Sequence, residues 1–432
     1  MKAVLSHRVY LESDAKLQNF IDKELTYSIP SYNSEAPPQV IKNMAIIRPG
    51  LISIPIGRQD LIPDNYEIVD KRVLAPVEFP EFRGVLRASQ QEIYDEVDDN
   101  CVINAKVSWG KTFAGLAIAG KLGQKTLVVV DKIPLRNQWV KEVEKVFGAE
   151  AGVIGSGKFD LDKSIIIGNT QTLSRRIPEI SRAFGTVVMD EVHHISANTF
   201  STVVDKNYAR YKIGLSGTLI RKDGKHVVLR DYFGQKVFVP PAENFMKPEV
   251  HIIQLDNRFP DGSHVPWAIR VNDLCNDEDY RNKVALIAAK YAAEGHNVLV
   301  VADRVHFINM VAKLIGPNAV AITGKVAHEE RDALMLQVGN GTINVLCGVK
   351  SMFSEGISHN PLSCLLPATP INNDPLLEQL IGRIVREYPG KKQPVVIDLH
   401  LKGNTAFRQA NVRMGHYMKQ DYVIRKIDAR TW

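Results

Sequence analysis

Residues 101–112 read Cys101-Val-Ile-Asn-Ala-Lys-Val-Ser108-Trp109-Gly110-Lys111-Thr112, and the reading of this stretch decides the fold. Cys101, Val102, Ile103 and Ala105, interrupted by Asn104, make a short apolar run that suits an interior parallel strand. From Thr112 to Leu122 the apolar residues return at helical spacing. Gly110-Lys111-Thr112 lies between, so the order is strand, tight loop, helix. In such a loop, backbone N–H groups at a helix N-terminus cradle phosphates, a lysine reaches the β/γ-phosphates and a hydroxyl binds Mg²⁺. Lys111 and Thr112 stand at those two positions, with Ser108 and Gly110 in the loop itself. The full pattern GxxxxGK[ST] asks for glycine at position 105, where this chain carries Ala105.

Outward from this loop, strand alternates with helix from Phe82 onward, the signature of a parallel doubly wound sheet. Strands are expected at 101–104, 126–130, 152–154, 164–167, 186–190 and 211–215, with helices at 133–147 and 177–183. A less regular stretch follows, and then a second α/β series. Its helices are expected at 281–294, 305–314, 328–338 and 374–386, and its strands at 297–302, 319–322, 343–348, 363–366 and 394–399. Residues 1–80 read as a small α+β accessory domain, with alternating strands in 3–11 and 44–56 and a helix at 15–25, closed by Pro76 and Pro80. The expected division is therefore 1–80, a first α/β domain at 81–238, an interdomain segment at 239–280, and a second α/β domain with a basic end at 281–432.

At 432 residues the chain is long enough for two or three domains, and its 45% apolar and 24% charged residues are those of a globular protein. No apolar run reaches the length of a membrane span, and the N-terminus lacks the apolar core of a signal peptide, so a cytoplasmic location is expected. Cys101, Cys275, Cys347 and Cys364 are scattered without a CxxC and read as small buried residues. From Gly390 to Trp432 nine Lys/Arg face three acids, so this segment carries the whole net charge of +6. Beside a nucleotide site, such a segment points to a polyanion partner.

About 80 residues after Lys111 comes Thr186-Val-Val-Met-Asp190-Glu191-Val-His193-His194. An apolar strand ending in Asp-Glu sets acids at the C-terminal edge of the sheet, where open α/β sheets bind ligands. Asp190 is placed to hold Mg²⁺ through water and Glu191 to orient or deprotonate the attacking water.

Asp190-Glu191-Val192-His193 resembles the DExH form of the superfamily 2 helicases, and the other motifs of that family follow in order over about residues 82–400. Leu86-Arg87-Ala88-Ser89-Gln90 resembles the adenine-reading Q motif, which implies that Gln90 contacts the base edge. Lys125 to Val130 with Gln138-Trp139 resembles motif Ia, and Ile167 to Leu173 resembles the next strand-end motif, implying that Thr170 and Gln171 touch nucleic-acid backbone. Gly214-Leu215-Ser216-Gly217-Thr218 resembles motif III, whose hydroxyls, here Ser216 and Thr218, couple the ATP site to nucleic acid, as does His193. In the second series, Val298 to Asp303 resembles motif IV and Ile322-Thr323-Gly324 the turn after it, with Thr323 a nucleic-acid candidate. Glu355-Gly356-Ile357-Ser358 resembles motif V. Gln379-Leu-Ile-Gly382-Arg383-Ile-Val-Arg386 matches QxxGRxxR of motif VI. Placed on one helix, Gln379, Arg383 and Arg386 would share a face, and the resemblance implies that the two arginines act as arginine fingers. Ser108-Trp109, Asp131 and Ser358 depart from the usual family residues.

The resemblance implies two tandem RecA-like domains, ATP and Mg²⁺ as cofactors, and a chain acting without a membrane and as a monomer. The 214–224 stretch and the short C-terminal extension are similar to the phage branch-migration helicases of the UvsW type, most of all those of T-five-like phages. That implies ATP-driven remodelling of forked or branched DNA, with a single-strand-binding protein as a further partner. An RNA helicase and a motor subunit of a restriction or nuclease complex are the alternatives. Residues 258–267 read either as a hairpin carrying Phe259 or Trp267 as a strand-separating wedge or as a plain interdomain loop. The 414–426 stretch reads either as a backbone grip or as a final helix.

Overall fold

Strands that are apolar on both faces must be covered by helices on both sides, and both large sheets of this protein are built that way. The computed structural model describes residues 1–29, 37–192, 198–217, 228–262, 264–324, 326, 328–354 and 361–428. The chain divides into two units, Met1–Ala242 and Glu243–Trp432.

In the first unit, the described residues form an eight-stranded sheet. Its order is Lys158–Phe159, Gly152–Gly155, Ile165–Asn169, Thr126–Val130, Thr186–Met189, Tyr211–Ser216, Cys101–Asn104 and Val237–Phe238. Successive side chains alternate between faces, so Ile103, Val128, Val130, Ile213 and Leu215 pack against helices Lys111–Leu122 and Ile133–Phe147. Val102, Leu127, Val129 and Met189 face the opposite layer with Leu173, Ile180 and Phe233. Four pairings tie the central strands into one register: Val102 with Gly214, Gly214 with Met189, Met189 with Val129, and Val129 with Gly168. The strands therefore end level with one another.

Among the described residues of the first 80, a separate five-stranded sheet runs in the order Ala45–Arg48, Leu51–Pro55, Arg8–Glu12, Lys2–Leu5, Glu67–Asp70. Helix Ala15–Glu24, capped where Asp14 accepts from Leu17 N at 2.8 Å, covers it over a core of Leu5, Val9, Leu11, Ile21, Ile52 and Ile54. This N-terminal region, which also holds the separate pair Thr26–Ile29 with Gln39–Lys42, is fastened to the α/β layer by partly buried polar contacts. Arg8 Nη1 donates to Asp205 Oδ1 at 2.8 Å, and Tyr27 OH donates to Asp231 Oδ1 at 2.8 Å. Asn43 Nδ2 donates to the other Asp231 oxygen, and Gly57 N donates to Asp231 O at 2.9 Å. A side chain at Gly57 would lie 2.2 Å from Arg230 O, so this approach requires glycine.

In the second unit the described strands form a seven-stranded sheet, in the order Ala319–Ile322, Val345–Val349, Val298–Ala302, Cys364–Pro367, Val395–Lys402, Glu249–Arg258, Val423–Ile427. Here the structure departs from the expected segment 239–280. Glu249–Arg258 is a ten-residue strand inside this sheet, parallel to both neighbours, and Trp267–Asn276 is a helix running into Glu278–Ala293. The strand was hidden because Glu249, His251, Gln254, Asp256 and Arg258 break its apolar run. The basic end is also structured: helix Asn404–Lys419 and edge strand Val423–Ile427 follow. Arg413 is buried with Nη2 donating to Asp398 Oδ1 at 2.6 Å, and Tyr417 is part of the core, so the 414–419 part of the stretch packs as a final helix while Arg425 and Lys426 lie exposed on the edge strand. All four cysteines are buried.

Lys212, in the Tyr211–Ser216 strand, is buried with Nζ donating to Val204 O at 2.8 Å. Burial pushes its ammonium pKa down to about 7; Asp205 opposes this, while Arg72 and Arg8 reinforce it. The unfolded chain keeps this proton to about pH 10.4, so above about pH 7 it binds more protons than the folded one and stability rises with pH. Chemical denaturation should show the wild type gaining stability relative to Lys212→Met between about pH 7 and about pH 9. Parallel pH profiles for the two proteins would contradict this assignment.

Candidate active site

The Cys101–Asn104 strand delivers the chain into a loop whose first link, Ala105 N, donates to Ser216 O of the neighbouring strand at 3.0 Å. Ser108 (φ 77°) and Gly110 (φ 86°) take left-handed conformations, turning the backbone into helix Lys111–Leu122. The first N–H groups of that helix have no intrahelical acceptor and suit an anion. Lys111 Nζ donates to Ala105 O at 3.1 Å, and it lies 3.4 Å from where a Cβ on Gly217 would stand. The ammonium thus reaches back over the loop. Ser108 Oγ is buried and has no hydrogen-bond partner among the described residues. A phosphate oxygen would supply its acceptor, so the residues present fit a nucleotide.

Trp109, unusual for the motif, has a structural explanation. Its indole is buried and donates to Ser89 Oγ at 2.8 Å. Its carbonyl accepts from Gln90 Nε2 at 2.7 Å and also from Arg87 Nη2. Gln90 Oε1 in turn accepts Arg87 N at 3.0 Å, closing the N-terminus of helix Ala88–Glu96. Gln90, expected at the base edge, is buried, and its amide fastens the phosphate loop to this helix.

Asp190 follows strand Thr186–Met189. The Tyr211–Ser216 strand separates that strand from Cys101–Asn104, so two strand spacings, about 10 Å, lie between acid and loop strands. Such a gap admits a phosphate group and a hydrated cation. Asp190 is buried; its Oδ2 accepts Trp139 Nε1 at 2.7 Å and its Oδ1 accepts Glu191 N at 3.0 Å. Burial raises its pKa well above the usual carboxylate range and the neighbouring Glu191 adds to the rise, while Trp139 and Lys111 act against it. A cation would relieve both raising effects. Thr112 and Asp190 are hard oxygen donors suited to Mg²⁺. Among the described residues no group of three or more His, Cys, Asp or Glu could hold a metal, so Mg²⁺ here would draw its remaining ligands from phosphate and water.

Other expected site residues fare differently. Thr170 is 1% exposed and its hydroxyl donates to Val130 O at 3.0 Å, so this side chain serves the sheet, whereas Gln171 beside it is exposed. Ser216 is buried at its strand end, and Thr323 is buried just after Ala319–Ile322. His193, Thr218 and Gly356 lie outside the described residues. Phe259 is 0% exposed and belongs to the second unit's core, so it does not form a wedge. Trp267 is 39% exposed, opens a helix and packs on Phe259 at 5.1 Å between ring centroids, in place of the suggested hairpin.

Motif VI also differs from expectation. The helix is Asp374–Ile381, not 374–386: it carries Gln379, but Arg383 lies in the turn after it and Arg386 forms a β-bridge with Phe245. Ile384 and Val385 are buried in the core and Val385 O accepts Met246 N at 2.7 Å, which draws the chain out of the helix. Arg383 Nε donates to Phe353 O at 2.7 Å. Nearby strand ends are joined by Lys350, whose Nζ donates to Asp303 Oδ2 at 2.9 Å and Pro370 O at 3.0 Å. The roles of Trp139 and Lys350 were not read from the sequence; the available signal was that a buried indole N–H or ammonium must find a partner.

The chain is 42% identical to the Probable helicase D10 of Escherichia phage T5 over 424 residues, covering 96% of this chain and 94% of that protein. It belongs to the superfamily 2 helicases. The family model described as Type III restriction enzyme, res subunit, matches residues 83–221 of this helicase. The ATP-dependent DNA helicase uvsW of Enterobacteria phage T4 is 23% identical over 359 residues, 75% of this chain and 69% of that protein. Among solved structures, S. cerevisiae Dbp5 bound to RNA and ADP BeF3 matches with a TM-score of 0.56 at 12% identity, covering 80% of this chain and 90% of that one. That likeness supports the tandem RecA-like fold. Family membership implies that this helicase uses ATP, typically with Mg²⁺. No described helix is long and apolar enough to cross a membrane.

A Cβ added at Gly110 would stand 2.9 Å from Gln90 Nε2, at a φ that L-residues rarely adopt. The strain of about 1–3 kcal/mol predicts that Gly110→Ala weakens nucleotide binding by about 5- to 150-fold. Titration with a fluorescent nucleotide checks this, and unchanged affinity would show that the loop conformation is not needed for binding.

Proposed function

We propose that this helicase is an ATP-driven DNA motor that unwinds and branch-migrates forked or junction DNA. The observation that carries the reading is the phosphate loop and the buried Asp190 set at one level of one sheet, in a chain with a second α/β unit bearing motif VI. The DNA substrate draws its support from the T4 relative, whose name specifies an ATP-dependent DNA helicase.

In this reading Lys111 and the first turn of helix Lys111–Leu122 bind the phosphates, and Thr112 and Asp190 hold Mg²⁺, which neutralises developing phosphate charge when bound. Glu191 orients the attacking water. Gln379, Arg383 and Arg386 are proposed to act on the γ-phosphate, the arginines stabilising the charge that develops there. DNA is gripped through its phosphates, so binding is salt-sensitive and largely independent of sequence.

The test is steady-state ATPase without nucleic acid, with single-stranded DNA, with a synthetic four-way junction and with matched RNA. The junction should stimulate turnover most, and Lys111→Ala should abolish it. Arg386→Ala should lower kcat by about 1,000-fold or more while nucleotide binding persists. Stimulation by RNA alone would replace this reading with an RNA helicase, and turnover surviving in Arg386→Ala would remove that residue from the site.

A further inference from the structure

Trp139 lies on helix Ile133–Phe147, outside the phosphate loop and the Asp-Glu pair, yet it touches the machinery of both. Its indole Nε1 donates to Asp190 Oδ2 at 2.7 Å, and both side chains are buried. The ring also runs past the phosphate-loop helix: a Cβ on Gly115 would stand 3.4 Å from Trp139 Cη2. The ring therefore lies in van der Waals range of the phosphate-loop helix. The other Asp190 oxygen accepts Glu191 N, from a residue in left-handed conformation at φ 53°. Each carboxylate oxygen therefore has one fixed donor, and the plane of the carboxyl is set by the two together.

A buried indole N–H must find an acceptor, and here that acceptor is the acid of the Asp-Glu pair. Indole donates one hydrogen bond and accepts none, so the geometry allows one polarity only. Without that donor, one oxygen of the buried Asp190 carboxylate would lose its hydrogen-bond partner, a costly arrangement for a charged group.

We propose that Trp139 is a positioning residue for the Asp190 carboxylate, holding it in the orientation that receives the nucleotide-borne cation. The inference rests on the reading of Asp190 as the acid that holds Mg²⁺.

The full chain is tested as Trp139→Phe, which keeps a buried ring and deletes the donor, and as Trp139→His, which restores a ring N–H. Binding of a non-hydrolysable fluorescent ATP analogue is titrated first in chelator and then across Mg²⁺ concentrations. In Trp139→Phe the chelator affinity should stay within about twofold of wild type. Its Mg²⁺ half-saturation should rise about tenfold, the loss of one hydrogen bond to a charged group. Trp139→His should recover part of the loss, and adding Trp139→Phe to Asp190→Asn should cost nothing further. An unchanged Mg²⁺ half-saturation, or equal weakening with and without Mg²⁺ alongside a lower melting temperature, would overturn the proposal in favour of core packing. If wild type itself gained no affinity from Mg²⁺, the reading of Asp190 would fail and this one with it.

A second measurement does not depend on the Trp139 variants folding. In ¹⁵N-labelled wild type, which has four tryptophans, one indole N–H resonance should differ from its position in Asp190→Asn and should move when Mg²⁺ is added to the nucleotide complex. No such resonance would overturn the proposal.

Discussion

The constraint on which the candidate ATP site depends is the hydrogen-bond register of one parallel sheet. Pairing Val102 with Gly214, Gly214 with Met189 and Met189 with Val129 brings the strand ends to a common level. Residues far apart in sequence then leave the sheet side by side: Lys111 after one strand, Asp190 after another and Gly217 after the strand between them. A slip by one residue would turn each strand's side chains to the opposite face, and both apolar layers would be lost. The core therefore enforces the alignment that the chemistry uses.

Buried polar groups refine what the register sets roughly. Two tryptophans contribute in the same way, each with a ring in the core and its single N–H committed. Trp109 ties the phosphate loop to the helix bearing Gln90, and Trp139 reaches Asp190. Each replaces water as the partner of a functional segment. The surroundings are dry enough to raise the pKa of Asp190 and to make the site favourable for a cation.

The same accounting joins the N-terminal sheet to the first α/β layer. Asp231 is fully buried yet accepts from Tyr27 and Asn43, while Asp205 accepts from Arg8. Both acids lie on helices that follow family motifs in the chain: Asn198–Asp205 after Asp190-Glu191, and Leu229–Phe233 after Ser216. In the second unit, Arg413 with Asp398 and Lys350 with Asp303 fill equivalent structural roles. Part of the basic C-terminal charge is therefore internal and not available to a polyanion.

The sequence by itself determined the alternation of strand and helix and the boundaries of elements such as Thr126–Val130 and Ile133–Phe147, and it singled out Lys111, Thr112, Asp190 and Glu191 as candidates at strand ends. Those signals are local: apolar periodicity and short motifs at strand ends survive without knowledge of neighbours. Tertiary structure alone decided where polar-looking segments go. Glu249–Arg258 became an interior strand because neighbours on both sides satisfy its backbone, and the helix bearing Gln379 ended before Arg383 because Ile384 and Val385 are drawn into the core. Phe259 was withdrawn into that core, and Thr170 was turned to a carbonyl. The burial of an aromatic ring and the partner of a buried N–H depend on contacts distant in the chain, and no local pattern encodes them.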